Sequence, residues 1–117
     1  LPLVFCGKKC VVSHAEPEKT YNRQQIINAR LEKGVVEGLT WTDNNEAENG
    51  SVENIIANLT DEKDVVYFGG HRPVVNNYEY RQNNRYIQIH NPSRQNIAYV
   101  DNKKLFDPES DIYGVNK

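Results

Sequence analysis

The stretch that decides the predicted fold is residues 84–102, NRYIQIHNPSRQNIAYVDN. Two parts of it, NRYIQIH and NIAYVD, are short runs rich in β-branched and aromatic residues, which is typical of strands. The Asn-Pro pair between them is a turn signal. The stretch therefore predicts a hairpin, with His90 and Asn91 at the turn, Arg85 at its start and Asn102 at its end.

The chain before this hairpin supplies one predicted helix and further strands. The strand-like segments are 1–5, 9–13, 64–70 and 73–81. A helix is predicted over 20–34, because Thr20 is a good N-cap and Gly34 suits the position after a last helical turn. The segment 51–59 has apolar residues at helical spacing, but its β-branched content also allows a strand.

This order of elements predicts the fold class. The helix and the strands are segregated along the chain, which indicates an α+β protein with an antiparallel sheet. We expect one domain over residues 1–117, with one α-helix packed on a central antiparallel β-sheet. An α+β interaction domain unrelated to any enzyme fits this prediction as well.

Composition excludes some functions and leaves one charged region. Mean hydropathy is −0.76, and no apolar run approaches the roughly 20 residues that a membrane helix needs, so no membrane partner is predicted. The formal net charge of −2 does not by itself indicate nucleic-acid binding. Residues 69–104, however, hold six Lys and Arg against two Asp and Glu, and are the one predicted anion-facing region.

Several features favour a secreted protein. The chain starts LPLVFC without methionine. Such a start is expected when a signal peptide has been removed, and a shortened chain would look the same. Cys6 and Cys10 can form one disulfide or remain free buried thiols. Asn49 and Asn58 lie in N-glycosylation sequons, which matter only in a secreted eukaryotic protein.

One alternative function is a small papain-like cysteine peptidase or deamidase that uses Cys6, His71 and Asn91. In such a site the histidine lowers the pKa of the thiol and the asparagine orients the imidazole. The nucleophile is the weak part, because Pro17 and neighbouring valines prevent a long helix after Cys6. No zinc-ligand spacing and no phosphate-binding glycine loop are found, so no metal or cofactor is predicted.

The hairpin at 84–102 and the helix segment KTYNRQQIINARLEKG resemble parts of the secreted fungal guanyl-specific ribonucleases. The resemblance implies that Arg85 lies where that family binds phosphate. It also shows departures from the family. Asn102 stands in place of the final catalytic histidine, and Tyr67 and Phe68 stand in place of the central glutamate. The resemblance therefore implies a ribonuclease-like fold without the acid and base that cleavage needs.

A ribonuclease-like chain without catalytic residues is similar to the effectors that powdery mildew fungi secrete into plant cells. This resemblance implies a secreted, catalytically inactive monomer that acts in the host cell. It implies binding to host RNA or to host proteins, including recognition by plant immune receptors. The early placement of both cysteines departs from the family pattern, which leaves the disulfide prediction open.

If RNA is bound, the basic region is expected to carry it. The predicted phosphate-binding residues are Arg72, Arg81, Arg85, Arg94, Lys103 and Lys104. Tyr86, with Tyr78 and Tyr80, is the predicted base-stacking group. The alternative is that these tyrosines pack between strands.

Overall fold

The computed structural model describes residues 3–115, so Leu1 and Pro2 of the predicted first strand lie outside the described residues. A five-stranded sheet forms its frame. The strands are β1 (Val4–Cys6), β2 (Cys10–Ser13), β3 (Val66–Gly69), β4 (Glu79–Arg81) and β5 (Tyr86–Gln88). Their order in the sheet is β1-β2-β3-β5-β4. The α+β prediction is confirmed.

The sheet is mixed, and the prediction of an antiparallel sheet is wrong. β1 and β2 form an antiparallel hairpin, and β4 runs antiparallel to β5. The central strands β2, β3 and β5 are parallel to one another. The physical reason lies in the connection from β2 to β3, which is long enough to cross back over the sheet, as parallel strands require.

The single predicted helix is also wrong, since four short helices are described. They are α1 (Arg23–Ile27), α2 (Val35–Thr40), α3 (Ser51–Leu59) and α4 (Pro108–Asp111). The expected helix over 20–34 is reduced to α1, which begins after Asn22, in a capping box with Gln25, and ends before Asn28. Gly34, at φ +85°, precedes α2 instead of following one long helix.

The hairpin predicted at 84–102 does not form. β5 pairs with β3 and β4, whereas β6 (Asn96–Ala98) pairs with β7 (Ile112–Gly114) in a separate two-stranded sheet. The predicted turn is present, because the amide N–H of Gln95 donates to the carbonyl of Asn91 over 2.8 Å. The turn connects two sheets instead of two paired strands.

Both faces of the main sheet are covered. The side chains of Val11, Tyr67 and Tyr86 share one core cluster with apolar residues of α2 and α3, such as Leu39 and Ile55. On the other face, Phe68, Ile87 and Ile112 form a second cluster that reaches β7. No helix among residues 3–115 is long and apolar enough to cross a membrane.

Candidate functional site: a histidine-lined crevice

The three parallel strands end at one edge of the sheet, and a histidine follows each of them. His14 comes directly after β2, His71 lies two residues after β3, and His90 lies two residues after β5. In open sheets with parallel strands, ligands bind at the carboxyl ends of those strands. This edge is therefore the expected position of a binding site.

Backbone hydrogen bonds hold the three histidine-bearing segments together. The carbonyl of His14 accepts the N–H of Gly70 over 2.8 Å, and the carbonyl of Gly69 accepts the N–H of Ile89 over 3.1 Å. The carbonyl of His90 accepts the N–H of Val74 over 2.7 Å. These bonds continue the pairing of the strands and fix the loops relative to one another.

A crevice of about 600 Å³ lies between these segments. Its apolar wall is formed by Val12, Phe68 and Ile89, and its polar lining includes the three histidines. The histidines are the only ionisable side chains among the lining residues. A volume of this size lies in the range of about 300–1,000 Å³ that is usual for small-ligand sites.

His71 occupies a constrained position at the rim of the crevice. Its φ is +65°, which is uncommon for a residue with a side chain. Its ring lies 5.3 Å from the ring of His14 and 5.7 Å from that of Trp41, between centroids. Its Nε2 lies 3.4 Å from Oδ1 of Asp43, which also accepts Nε of Arg72 over 2.9 Å. The carboxylate therefore orients His71 and is itself neutralised by Arg72.

His14 has a perturbed pKa. Burial lowers the pKa of this imidazole, and the neighbouring His71 and His90 lower it further, because three positive charges in one crevice repel one another. His14 is therefore protonated to a smaller extent than an isolated histidine at the same pH. No group of three or more His, Cys, Asp or Glu residues is arranged to hold a metal ion in the described part of the chain.

Asn91 has a structural role beside this crevice. Its Nδ2 donates to the carbonyl oxygens of Val74, Val75 and Asn76 over 3.0 to 3.2 Å, and its Oδ1 accepts the N–H of Arg94. Each atom of the amide is thus occupied by backbone. The side chain holds the 74–76 segment against the turn after β5, and it does not orient an imidazole.

The structure does not assemble the cysteine peptidase site. Cys6 pairs with Val11, which in turn pairs with Tyr67 near the start of β3, whereas His71 lies beyond the end of β3. His71 is thus four residues further along the chain than the strand position that is level with Cys6. Cys6 is exposed on an edge strand and no helix begins there, so Cys6, His71 and Asn91 do not form the catalytic arrangement that the alternative peptidase function requires.

Of the two alternatives for the cysteines, the structure has free thiols at both Cys6 and Cys10 and not the possible disulfide. The thiol of Cys10 has a raised pKa, first because of burial and then because of the nearby Cys6. The two sequon asparagines differ in setting. Asn49 is exposed in a turn, whereas Asn58 lies within α3 and its Nδ2 donates to the carbonyl of Tyr21.

Tyr86 and Arg81 are misassigned as RNA-binding residues. Tyr86 is fully buried in the core, so its ring cannot stack on a base. The guanidinium of Arg81 is largely buried and pairs with Glu16 over 2.8 Å and with Glu79 over 3.2 Å. These two residues are structural because the strands place them against the helix-covered part of the molecule.

The remaining basic residues do not form one surface. Arg72 lies beside the crevice, and Nε of Arg94 donates to Oδ1 of Asn77. Arg85 precedes β5, and Lys103 and Lys104 line a hollow with Lys9, which precedes β2. These four residues therefore lie towards the amino ends of the parallel strands, opposite the crevice. Lys104 is paired with Asp111 over 3.5 Å.

Sequence reasoning missed His14, His90, Trp41 and Asp43 as parts of one site. The available signal was a histidine within two residues of the end of three strand-like segments. That signal acquires meaning only when the strands are parallel, because only then do their carboxyl ends meet at one edge.

No protein-family model matches this chain, and no curated protein matches it. The resemblance to fungal ribonucleases therefore stays a prediction from the sequence. The histidine crevice is identified by its geometry and by the chemistry of the side chains that line it.

Proposed function

We propose that this protein acts by binding, as the secreted ribonuclease-like effector predicted from its sequence, and that the histidine crevice holds a nucleotide unit of RNA. One observation carries the proposal: three adjacent parallel strands all end in histidine-bearing segments around a single crevice. This differs from the basic region suggested by the sequence, whose members lie at both ends of the sheet.

The crevice offers partners for each part of a nucleotide. Imidazole N–H groups donate to phosphate oxygens, and do so more strongly when the ring is protonated. The apolar wall of Val12, Phe68 and Ile89 offers a surface for a base. Trp41 is 65% exposed and its ring meets that of His71 edge-on, so a base of single-stranded RNA can also stack at the rim.

The proposal of binding without cleavage is supported by the charges at the site. Cleavage of a phosphodiester develops extra negative charge that an enzyme must stabilise. Arg72, the guanidinium beside His71, is already paired with Asp43. Arg85, which the ribonuclease resemblance assigns to phosphate, lies at the other end of the sheet. The loss of ribonuclease activity that the sequence predicts is therefore part of this proposal. Binding to host proteins and recognition by plant immune receptors are part of it as well.

Titration with a single-stranded hexauridylate tests the proposed site. Trp41 is the sole tryptophan of the chain and lies at the crevice, so its fluorescence reports binding directly. The double variant His14→Gln/His90→Gln should weaken binding about tenfold, because the loss of each contact to a phosphate raises the dissociation constant at least about threefold. The same oligonucleotide should remain uncleaved.

The matched control carries two changes at the opposite end of the sheet. Arg85→Ala/Lys103→Ala should leave the affinity within about twofold at constant ionic strength. The converse pattern, with loss in the control and none in the histidine variant, would move the site to the amino ends of the strands. Absence of binding by the unmodified protein would refute the proposal.

A further inference from the structure

The crevice also has features that select among phosphate groups. We infer that it prefers a terminal phosphomonoester of RNA over an internal phosphodiester, and that its histidines take up protons when this end binds. This inference rests on the proposed function and specifies its ligand. It concerns the same crevice but predicts a distinct property, namely which end of the RNA enters.

The three histidines line one crevice. The rings of His14 and His71 are 5.3 Å apart, and the side chain of His90 approaches Gly70, which lies between the segments that carry the other two. A phosphomonoester has three terminal oxygens and about two negative charges, so it can accept from several donors at one point. An internal diester has two such oxygens and one charge.

The charges around the histidines make this preference dependent on proton uptake. Among the lining residues no Asp, Glu, Lys or Arg is present beside the three histidines. Behind His71, Asp43 and Arg72 neutralise each other, and Glu46 accepts the N–H of Asp43. The crevice therefore carries no charge of its own when the imidazoles are neutral, and becomes cationic as they are protonated.

The lowered pKa of His14 is consistent with this arrangement. In the empty crevice the imidazoles repel one another's charge, and a doubly charged anion placed among them removes that penalty. A histidine of ordinary pKa, about 6.5, changes its protonated fraction roughly tenfold between pH 7.5 and pH 5.5. Each proton required for binding should thus change the affinity by about that factor over this interval.

Two probes separate ligand selectivity from proton uptake. The first is hexauridylate with and without a 5′-phosphate, and at pH 6.5 the phosphorylated form should bind at least about tenfold tighter. The second is inorganic sulfate, whose two charges do not change in this range. Its affinity should rise about tenfold from pH 7.5 to pH 5.5. Both are followed by Trp41 fluorescence at fixed ionic strength.

Variants make each outcome decisive. Both effects should disappear in His14→Gln/His90→Gln and persist in Arg85→Ala/Lys103→Ala. If the double variant is unfolded by circular dichroism, His90→Gln alone replaces it, because His90 is exposed and its hydrogen bond to Val74 uses only the backbone.

The two proposals fail in different ways. Equal binding of both oligonucleotides, with no change in sulfate affinity between pH 7.5 and pH 5.5, would overturn the inference and leave the RNA site standing. Sulfate binding that persists in the histidine variant would show an adventitious surface contact and would also overturn it. If neither oligonucleotide binds at any pH, the proposed function itself is refuted.

Discussion

Tyr67 and Tyr86 lie side by side in the core and differ in how their hydroxyl groups are satisfied. Both side chains are fully buried, and their rings are 5.7 Å apart. The hydroxyl of Tyr67 donates to Oγ of Ser13 over 2.8 Å. The hydroxyl of Tyr86 is packed on Gly69 and has no hydrogen-bond partner among the described residues. Burial raises the pKa of both phenols.

Removing each hydroxyl should therefore change stability in opposite directions. A buried polar group without a partner costs about 1–3 kcal/mol, and part of this is recovered when the group is deleted. Tyr86→Phe also loses a small amount of packing, so the net effect should be a rise of about 1 kcal/mol in the free energy of unfolding. Tyr67→Phe removes one net hydrogen bond and should lower it by about 1 kcal/mol.

Urea denaturation followed by circular dichroism measures the difference. With a slope of about 2 kcal/mol per molar urea, typical for a chain of this size, the two midpoints should differ by about 1 M. Each variant serves as the control for the other, because both remove one oxygen from the same cluster. If Tyr86→Phe destabilises the protein as much as Tyr67→Phe does, the Tyr86 hydroxyl has a partner in solution and the reasoning is refuted.

Three further predictions concern the Glu16–Arg81 ion pair, the packing of Gly38 and the titration of His14. Glu16→Gln leaves the largely buried guanidinium of Arg81 without its main counter-charge and should cost about 3 kcal/mol in urea denaturation; a cost below 1 kcal/mol would contradict it. Gly38→Ala would place a Cβ on the hydroxyl of Tyr21, so a loss of about 1–3 kcal/mol is expected, whereas an unchanged midpoint would show that the ring can move aside. The lowered pKa of His14 means that the folded state binds this proton less readily than the unfolded chain. Its contribution to stability is present above pH about 6.5 and is lost as the pH falls through the folded-state pKa. His14→Gln should therefore make the thermal midpoint depend less on pH across that window. A variant with the same pH profile as the unmodified protein would contradict this prediction.

The positions of most elements could be predicted from local sequence. The strand-like segments at 9–13 and 64–70 contain β2 and β3, and α3 coincides with the segment 51–59, whose sequence allows both a helix and a strand. Predictions that needed longer-range information were wrong. The predicted helix over 20–34 is shortened to α1, which ends with Asn28 as its C-cap, and the strands of 84–102 pair with other partners.

The candidate site likewise could be predicted only in part from the sequence. The sequence predicts a role for His71 and Asn91 only together with Cys6, and the structure does not bring these three residues together. The crevice residues are spread from position 12 to position 96, and no spacing rule links them. Tyr86 has an aromatic ring of the kind that stacks on bases, yet the alternation of side chains along β5 places this ring in the core.

The sequence by itself determined the α+β class, the polar surface, the location of the turn at 91–95 and the presence of three histidines near strand ends. Tertiary structure alone decided that β2, β3 and β5 are parallel neighbours, and thereby that His14, His71 and His90 meet. The reason is that a strand pattern with a period of two residues is the same in both directions. Strand direction depends on how the chain returns across the sheet, which for β2 and β3 involves more than fifty intervening residues.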